Sequence, residues 1–193
     1  DICELVSTCF YNKKLVVASK EGADLKWKAE RRLNSLHGVP AHAVTIQKIP
    51  HEAKYSRKYG GKIRYESAQE ISEIVRTLLQ DTPGTEILVL TPFRSQRALI
   101  RMLMQQNQVG YVPVRTVHSS QGMEFHSVIF DPADGSSNFL RGDESRRLVN
   151  VALSRAKARL IILLSDGDRQ NPLFDEVART VECLVTTTTL HRS

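Results

Sequence analysis

Val114-Arg115-Thr116-Val117-His118-Ser119-Ser120-Gln121-Gly122-Met123-Glu124-Phe125-His126-Ser127-Val128-Ile129-Phe130-Asp131 is the stretch whose reading decides the fold. Strand-forming Val, Ile, Thr and Phe gather at its two ends, and a polar run containing one glycine separates them. The pattern predicts two strands with a site held in the connection between them. Amides beside Gly122 and the carboxylate of Glu124 suit ribose hydroxyls, because glycine lets the backbone approach a ligand closely. Downstream, Arg146-Arg147-Leu148-Val149-Asn150-Val151-Ala152-Leu153-Ser154-Arg155-Ala156-Lys157 reads as a basic helix running into the apolar strand Leu160-Ile161-Ile162-Leu163-Leu164. Its guanidinium groups suit polyanions.

Working outward, apolar periodicity predicts a short helix from Asp1 to Phe10 and a half-buried strand from Ala43 to Ile49. Ser67 followed by Glu70 forms a capping box that predicts a helix start, with Ile71, Ile74, Val75, Leu78 and Leu79 on its buried face. Strand Ile87 to Leu90, helix Ser95 to Gln106, strand Val112 to Val117, strand Ser127 to Phe130, helix Glu144 to Ala156 and strand Arg159 to Leu164 follow in order. A last helix is expected from Pro172 to Val181, with an exit strand or frayed end after Cys183. Residues 19–38, around Trp27, read as an exposed connection with some helix, and Lys54 to Lys62 as a basic, glycine-containing stretch whose role is open, a mobile surface loop first and a strand-binding hairpin second. Short Val/Ile/Leu strands alternating with helices imply an α/β fold, a mainly parallel sheet with helices on both faces.

The 193 residues fit one domain, and 41% hydrophobic with 25% charged residues suggests neither a disordered chain nor a membrane protein. No apolar run approaches a membrane span and Asp1-Ile2-Cys3-Glu4 does not resemble a signal peptide, so an intracellular setting, cytoplasmic or nuclear, is expected. Cys3, Cys9 and Cys183 are an odd number without metal-ligand spacing, which fits reduced thiols and no metal site. A net charge of +6 favours anionic partners weakly. The chain starts without Met inside an expected helix, as a fragment of a longer polypeptide does.

Ligands of open parallel sheets bind at the carboxyl ends of strands, and three motifs are expected there. In Thr91-Pro92-Phe93-Arg94-Ser95-Gln96, Pro92 forces Thr91 into an extended backbone, leaving a hydroxyl and amides to meet phosphate, or simply starting a helix. Arg94, Arg97 and Arg101 follow on one helical face as a solvated stripe. Thr116, His118, Ser119 and Ser120 can hydrogen-bond phosphate or sugar without reading sequence. On the basic helix Arg147, Asn150, Ser154 and Lys157 share a polar face, and Arg155 falls at its border beside Val151. No Ser/His/Asp or metal constellation is present.

Together the three motifs resemble the second motor domain of superfamily 1 helicases, in order and in spacing. Thr91-Pro92-Phe93-Arg94-Ser95-Gln96 is similar to the family's TPYxxQ segment, Thr116 to Glu124 to its motif V, and Asn150-Val151-Ala152-Leu153-Ser154-Arg155-Ala156-Lys157 to its motif VI, NVALTRAK. The Gln121-Gly122 form of motif V resembles the 5′-to-3′ branch that includes the nonsense-mediated-decay helicase. Ser7 to Leu15 resembles the segment after the family's Tyr-Arg-x-His-Pro motif.

The resemblance implies a RecA-like, three-layer α/β/α domain spanning residues 1–193, one of two that hold ATP between them on single-stranded DNA or RNA. It implies that Arg155 is the arginine finger on the γ-phosphate, that Glu124 binds ribose, and that Gln121 and Gly122 line the cleft. Thr91, Pro92, Thr116, His118 and Ser119 would meet the strand's backbone. No Gly-x-x-x-x-Gly-Lys-Ser/Thr phosphate loop and no acidic Mg²⁺ box occur in the chain, so ATP and Mg²⁺ would need the first motor domain of the same parent protein. Phe93 for Tyr and Ser154 for Thr are mild departures. A non-catalytic nucleic-acid-binding or protein-interaction domain with the same fold is the alternative, and a stand-alone enzyme on a small nucleotide a third reading.

Overall fold

The computed structural model describes residues 1–16, 29 and 33–190, with backbone alone over 187–190. Most of the expected connection around Trp27 therefore lies outside the described residues. In chain order the elements are α1 (Ile2–Tyr11), β1 (Val44–Lys48), β2 (Lys54–Ser56), β3 (Gly61–Ile63), α2 (Tyr65–Leu78), β4 (Ile87–Thr91), α3 (Arg94–Gln106), β5 (Val114–Thr116), β6 (Phe125–Phe130), α4 (Asp143–Leu153), β7 (Ala156–Leu164) and α5 (Pro172–Leu190). Five strands form one sheet in the order β1-β7-β6-β4-β5, and each neighbouring pair is parallel.

Alternation along the strands explains the layers. Leu88, Leu90, Val128, Phe130, Leu160 and Ile162 join one buried cluster with α1, α4 and α5, while Ile87, Val89, Ile129, Ile161 and Leu163 join another with α2 and α3. Because successive side chains point to opposite faces, an unbroken apolar strand needs a helical layer on each side. The α/β/α sandwich expected from the sequence is the observed architecture. Each such aliphatic side chain contributes roughly 1.5–3 kcal/mol when fully buried. Among the described residues no helix is long and apolar enough to cross a membrane.

Several expectations are corrected, each for a physical reason. Lys54 to Lys62 is an antiparallel hairpin, β2 with β3, rather than a surface loop, and Ser95 holds it to α3 by donating its hydroxyl to the Lys62 carbonyl at 2.7 Å. The capping box does not form. Arg64 stands at the N-cap position of α2, the Ser67 hydroxyl lies 2.7 Å from Asp131 Oδ2, and Glu70 accepts from Gln47 at 3.0 Å. Helix α4 stops at Leu153 instead of Ala156, because Ala156 already pairs with Phe125 as the start of β7. Strand β5 is short, and Val117–Ser120 turns as a 3₁₀ helix. The last helix continues through Leu190, since Leu184 and Val185 extend the stripe of Val177 and Val181 onto the core.

A buried polar network ties the hairpin to the sheet. Arg64, without solvent exposure, donates to Asp131 Oδ1 at 2.7 Å and Asp168 Oδ2 at 2.5 Å, residues that follow β6 and β7. Gln96 Nε2 donates to Asp131 Oδ2 at 2.8 Å and to the Arg64 carbonyl at 2.9 Å. The amides of Ala133, Gly135 and Ser165 complete the two carboxylates. Burial pulls the Arg64 pKa down, and the two carboxylates more than offset it, leaving it above the ordinary value.

Removing Arg64 would leave two buried carboxylates without their cation. Arg64→Ala is expected to cost about 3–5 kcal/mol in urea denaturation, the cost of breaking a buried ion pair from one side. Arg76→Ala breaks only the exposed pair with Glu73 and should fall within about 1 kcal/mol of wild type.

Candidate functional site

Glu124 and Arg155 precede β6 and β7, neighbouring parallel strands whose first residues, Phe125 and Ala156, are register partners. Both side chains therefore sit at the amino edge of the sheet, not at the carboxyl edge expected from open-sheet rules. The junction is tied twice: the Phe125 amide donates to the Arg155 carbonyl at 2.9 Å, and Arg155 Nη1 donates to the Met123 carbonyl at 3.1 Å. Arg155 lies in the turn after α4 rather than on the helix, and its Nε and Nη2 donate to the Val151 carbonyl and the Ser154 hydroxyl. A guanidinium carries five N–H donors, so these three hydrogen bonds to described residues leave two donors for a ligand. Arg155 is half-buried and Glu124 is exposed.

Thr91, Pro92 and Thr116 end β4 and β5 at the opposite, carboxyl edge, where Thr91 and Thr116 are register partners. Residues 117–124 connect the two edges. Thr116 and Ser119 are turned inward on their own segment: the Ser119 hydroxyl lies 2.9 Å from the Thr116 carbonyl and 3.2 Å from the Thr116 hydroxyl. Ser120 is buried and donates to the Val117 carbonyl. His118 and Ser119 are exposed. Thr91, read from the sequence as a strand contact, has no exposure in this chain and its hydroxyl has no partner among the described residues; Pro92 is buried as well. Phe93, next along the chain, packs against Phe139 with ring centroids 5.6 Å apart and planes inclined at 55°.

Gly122 has φ +79, and a Cβ built there would meet nothing within 4 Å. Backbone handedness rather than crowding selects glycine. A groove of about 370 Å³ runs between this connection and α4, lined by Val117, His118, Gln121, Glu144, Arg147, Leu148 and Val151. It brings Gln121 and His118 together with Arg147, whose place on the polar face of α4 the spacing predicted. Glu144 was missed: as an acid in the first turn of a helix it reads as a dipole partner. Arg64, Asp131 and Asp168 were also missed, although Asp131 directly after an apolar strand was a legible signal. Among the described residues no group of three or more His, Cys, Asp or Glu side chains could hold a metal ion.

This geometry sets two measurable outcomes. Gly122→Ala should destabilise the chain by about 1–2 kcal/mol in thermal or urea melts, the cost of left-handed backbone for an L residue. At the same edge, burial and then Arg159 push the His126 imidazole below its ordinary value, opposed by Asp81 and Glu86 and assisted by Lys157. The folded chain thus binds fewer protons than the unfolded one below the free-histidine value of about 6.5. Stability from this group is complete above that pH and falls as pH drops towards the folded value; His126→Gln should flatten that part of a stability–pH curve.

Comparisons with known proteins place the chain in a family and a fold. Residues 1–167 match the family model described as AAA domain, AAA_12. The chain is 29% identical over 188 residues to "3'-5' exoribonuclease HELZ2" of Mus musculus, covering 84% of this chain and 6% of that protein. It is 37% identical over 129 residues to "DNA replication ATP-dependent helicase/nuclease DNA2" of Mus musculus, covering 64% of this chain and 12% of that protein. The chain therefore spans a small part of these relatives. In fold it is similar to the C-terminal domain of a possible DNA helicase from Lactobacillus plantarum WCFS1, with TM-score 0.54, 11% identity, and 84% and 94% of the two chains covered. From the matched residues 1–167, the chain belongs to the AAA-domain family AAA_12, and its motifs and fold are those of a superfamily 1 helicase C-terminal domain.

Proposed function

We propose that this chain is the second motor domain of an ATP-dependent helicase acting inside the cell, completing an ATP pocket with one edge of its sheet and gripping single-stranded nucleic acid with the other. The observation that carries the reading is the division of the motif residues: Glu124 and Arg155 meet at the amino edge, and Thr116, His118 and Ser119 gather at the carboxyl edge. A motor needs those two tasks separate and connected, and residues 117–124 connect them.

The amino edge fits a nucleotide by chemistry. Glu124 offers an exposed carboxylate for ribose hydroxyls, Gly122 leaves open space beside the backbone, and Arg155 keeps two N–H donors for phosphate oxygens. ATP with Mg²⁺ would supply the anhydride whose hydrolysis drives the motor, with the metal's ligands coming from the first motor domain of the parent protein. Arg155 stabilises charge that spreads over the phosphoryl oxygens, and its carbonyl contacts hold the guanidinium before the nucleotide arrives. Gln121 lines the adjoining groove, where it can report the state of the pocket to His118 on the same connection.

On the carboxyl edge, His118 and Ser119 present a ring and a hydroxyl to phosphates, while Thr116, hydrogen-bonded to Ser119, fixes the turn that presents them. Contacts of this type position a strand without reading its sequence. Closing the pocket shifts this layer relative to its neighbour domain and so moves the strand contacts at its carboxyl edge.

In the longer protein carrying both motor domains, ATP hydrolysis should rise when single strands are added. Arg155→Ala should then lower that rate by about 10³- to 10⁵-fold, the range of an arginine finger, while leaving strand binding without nucleotide close to wild type. Full ATPase activity in Arg155→Ala would remove the finger assignment. Strand binding in an intact two-domain protein without any ATP hydrolysis would favour the non-catalytic alternative.

A further inference from the structure

The hairpin β2–β3 is not part of any helicase motif described above, yet its side chains are arranged as a binding platform. No acidic residue occurs between Glu52 and Glu66, or between Glu86 and Glu124, so the hairpin, α3 and β5 are drawn from acid-free sequence. Lys54, Arg57, Lys58 and Lys62 are exposed on the hairpin, with Arg94 and Arg101 exposed on α3. Lys62 reaches Asp134 at 2.6 Å, which neutralises part of this charge. Cations crowd one another over the rest: burial lowers the pKa of Arg97, and the neighbouring Arg101 and Arg94 charges lower it further.

Strand geometry turns an aromatic ring out onto this charge. Directly opposed residues of an antiparallel pair share a face, and Tyr55 opposes Lys62 while Ser56 opposes Gly61. The Gly61 face packs down, since a Cβ there would lie 2.8 Å from Ser95 Oγ. Tyr55 and Lys62 consequently face away from α3, and Tyr55 is 71% exposed. At the tip, Lys58 Nζ lies 5.4 Å from the Tyr59 ring centroid. The platform borders the carboxyl edge, because Ser95 anchors the hairpin one turn beyond Thr91-Pro92-Phe93 and Arg64 locks its base to Asp131.

We propose that the β2–β3 hairpin is a second contact for single-stranded nucleic acid, in which a base stacks on Tyr55 and phosphates pair with Arg57 and Lys58. An exposed aromatic ring beside cations supplies the elements of sequence-tolerant single-strand binding. The inference rests on the strand-gripping reading of the carboxyl edge and extends the strand's path from His118 across the start of α3. A base-free polyanion would use the charges and ignore the ring.

The test is fluorescence anisotropy of this chain with labelled oligothymidine and oligouridine over a salt series. Tyr55→Ala should weaken both about 5- to 100-fold, the range of one base-stacking contact, and Tyr55→Phe should stay near wild type. Arg57→Gln with Lys58→Gln should flatten the slope of log affinity against log salt by about 0.7 for each phosphate no longer neutralised. Wild-type affinity in Tyr55→Ala, or an unchanged slope in the double variant, would overturn the hairpin contact; if His118→Ala still weakens binding, the carboxyl-edge reading survives that outcome. Absence of strand binding by the wild-type chain at low salt would overturn both. Equal competition by inorganic polyphosphate, with Tyr55→Ala silent, would reduce the surface to a general anion patch and overturn the stacking proposal.

Discussion

The parallel register of β6 with β7 is the constraint on which the rest depends. Phe125 opposite Ala156 brings Glu124 and Arg155 to one edge, although they come from different motifs. Both strands are buried along nearly their whole length, so the edge is positioned by the core of the sheet rather than by a surface loop. Contributions from oriented charge depend on positioning before the reaction, because a group that must be moved into place loses much of its effect. The amide of Phe125 on the Arg155 carbonyl and the guanidinium on the Met123 carbonyl make the two motifs one unit.

The second constraint is the backbone that returns from Thr116 to Phe125. It leaves β5 at the carboxyl edge, tightens into a 3₁₀ turn, passes Gly122 in left-handed conformation and enters β6 at the amino edge. The Ser119 and Ser120 hydroxyls donate to the Thr116 and Val117 carbonyls, and the Thr116 hydroxyl bonds that of Ser119, which stiffens the turn locally. In the proposed motor, nucleotide and strand act on the two ends of this one segment. The Arg64, Asp131 and Asp168 network fixes the carboxyl edge by a separate route, joining the hairpin to the ends of β6 and β7.

Much of this was legible in residues. Apolar runs at Ile87, Val128 and Leu160 located the central strands, and their separation by helical periodicity implied the parallel order. The motif residues were legible individually, but their division between two edges was not, because a linear motif does not say where a strand begins. Ala156 illustrates the difficulty: it continues the helical stripe of Leu148 and Ala152, yet pairing with Phe125 draws it into β7. The same competition explains Ser67, whose capping signal lost to a buried carboxylate at 2.7 Å. The hairpin ranked behind a loop because lysine, arginine and paired glycines suit both, and the contacts that hold it come from Ser95 and Arg64, which are remote from its own turn.

The central claim is that Arg155 and Glu124 form one wall of a shared nucleotide pocket. Its most direct test is a crystal structure of the protein carrying both motor domains, bound to ADP and a γ-phosphate mimic. The predicted result is the Arg155 guanidinium within about 3 Å of the mimic's oxygens and Glu124 within hydrogen-bond distance of ribose. A nucleotide bound there with Arg155 still turned to Met123 and Glu124 facing solvent would contradict it.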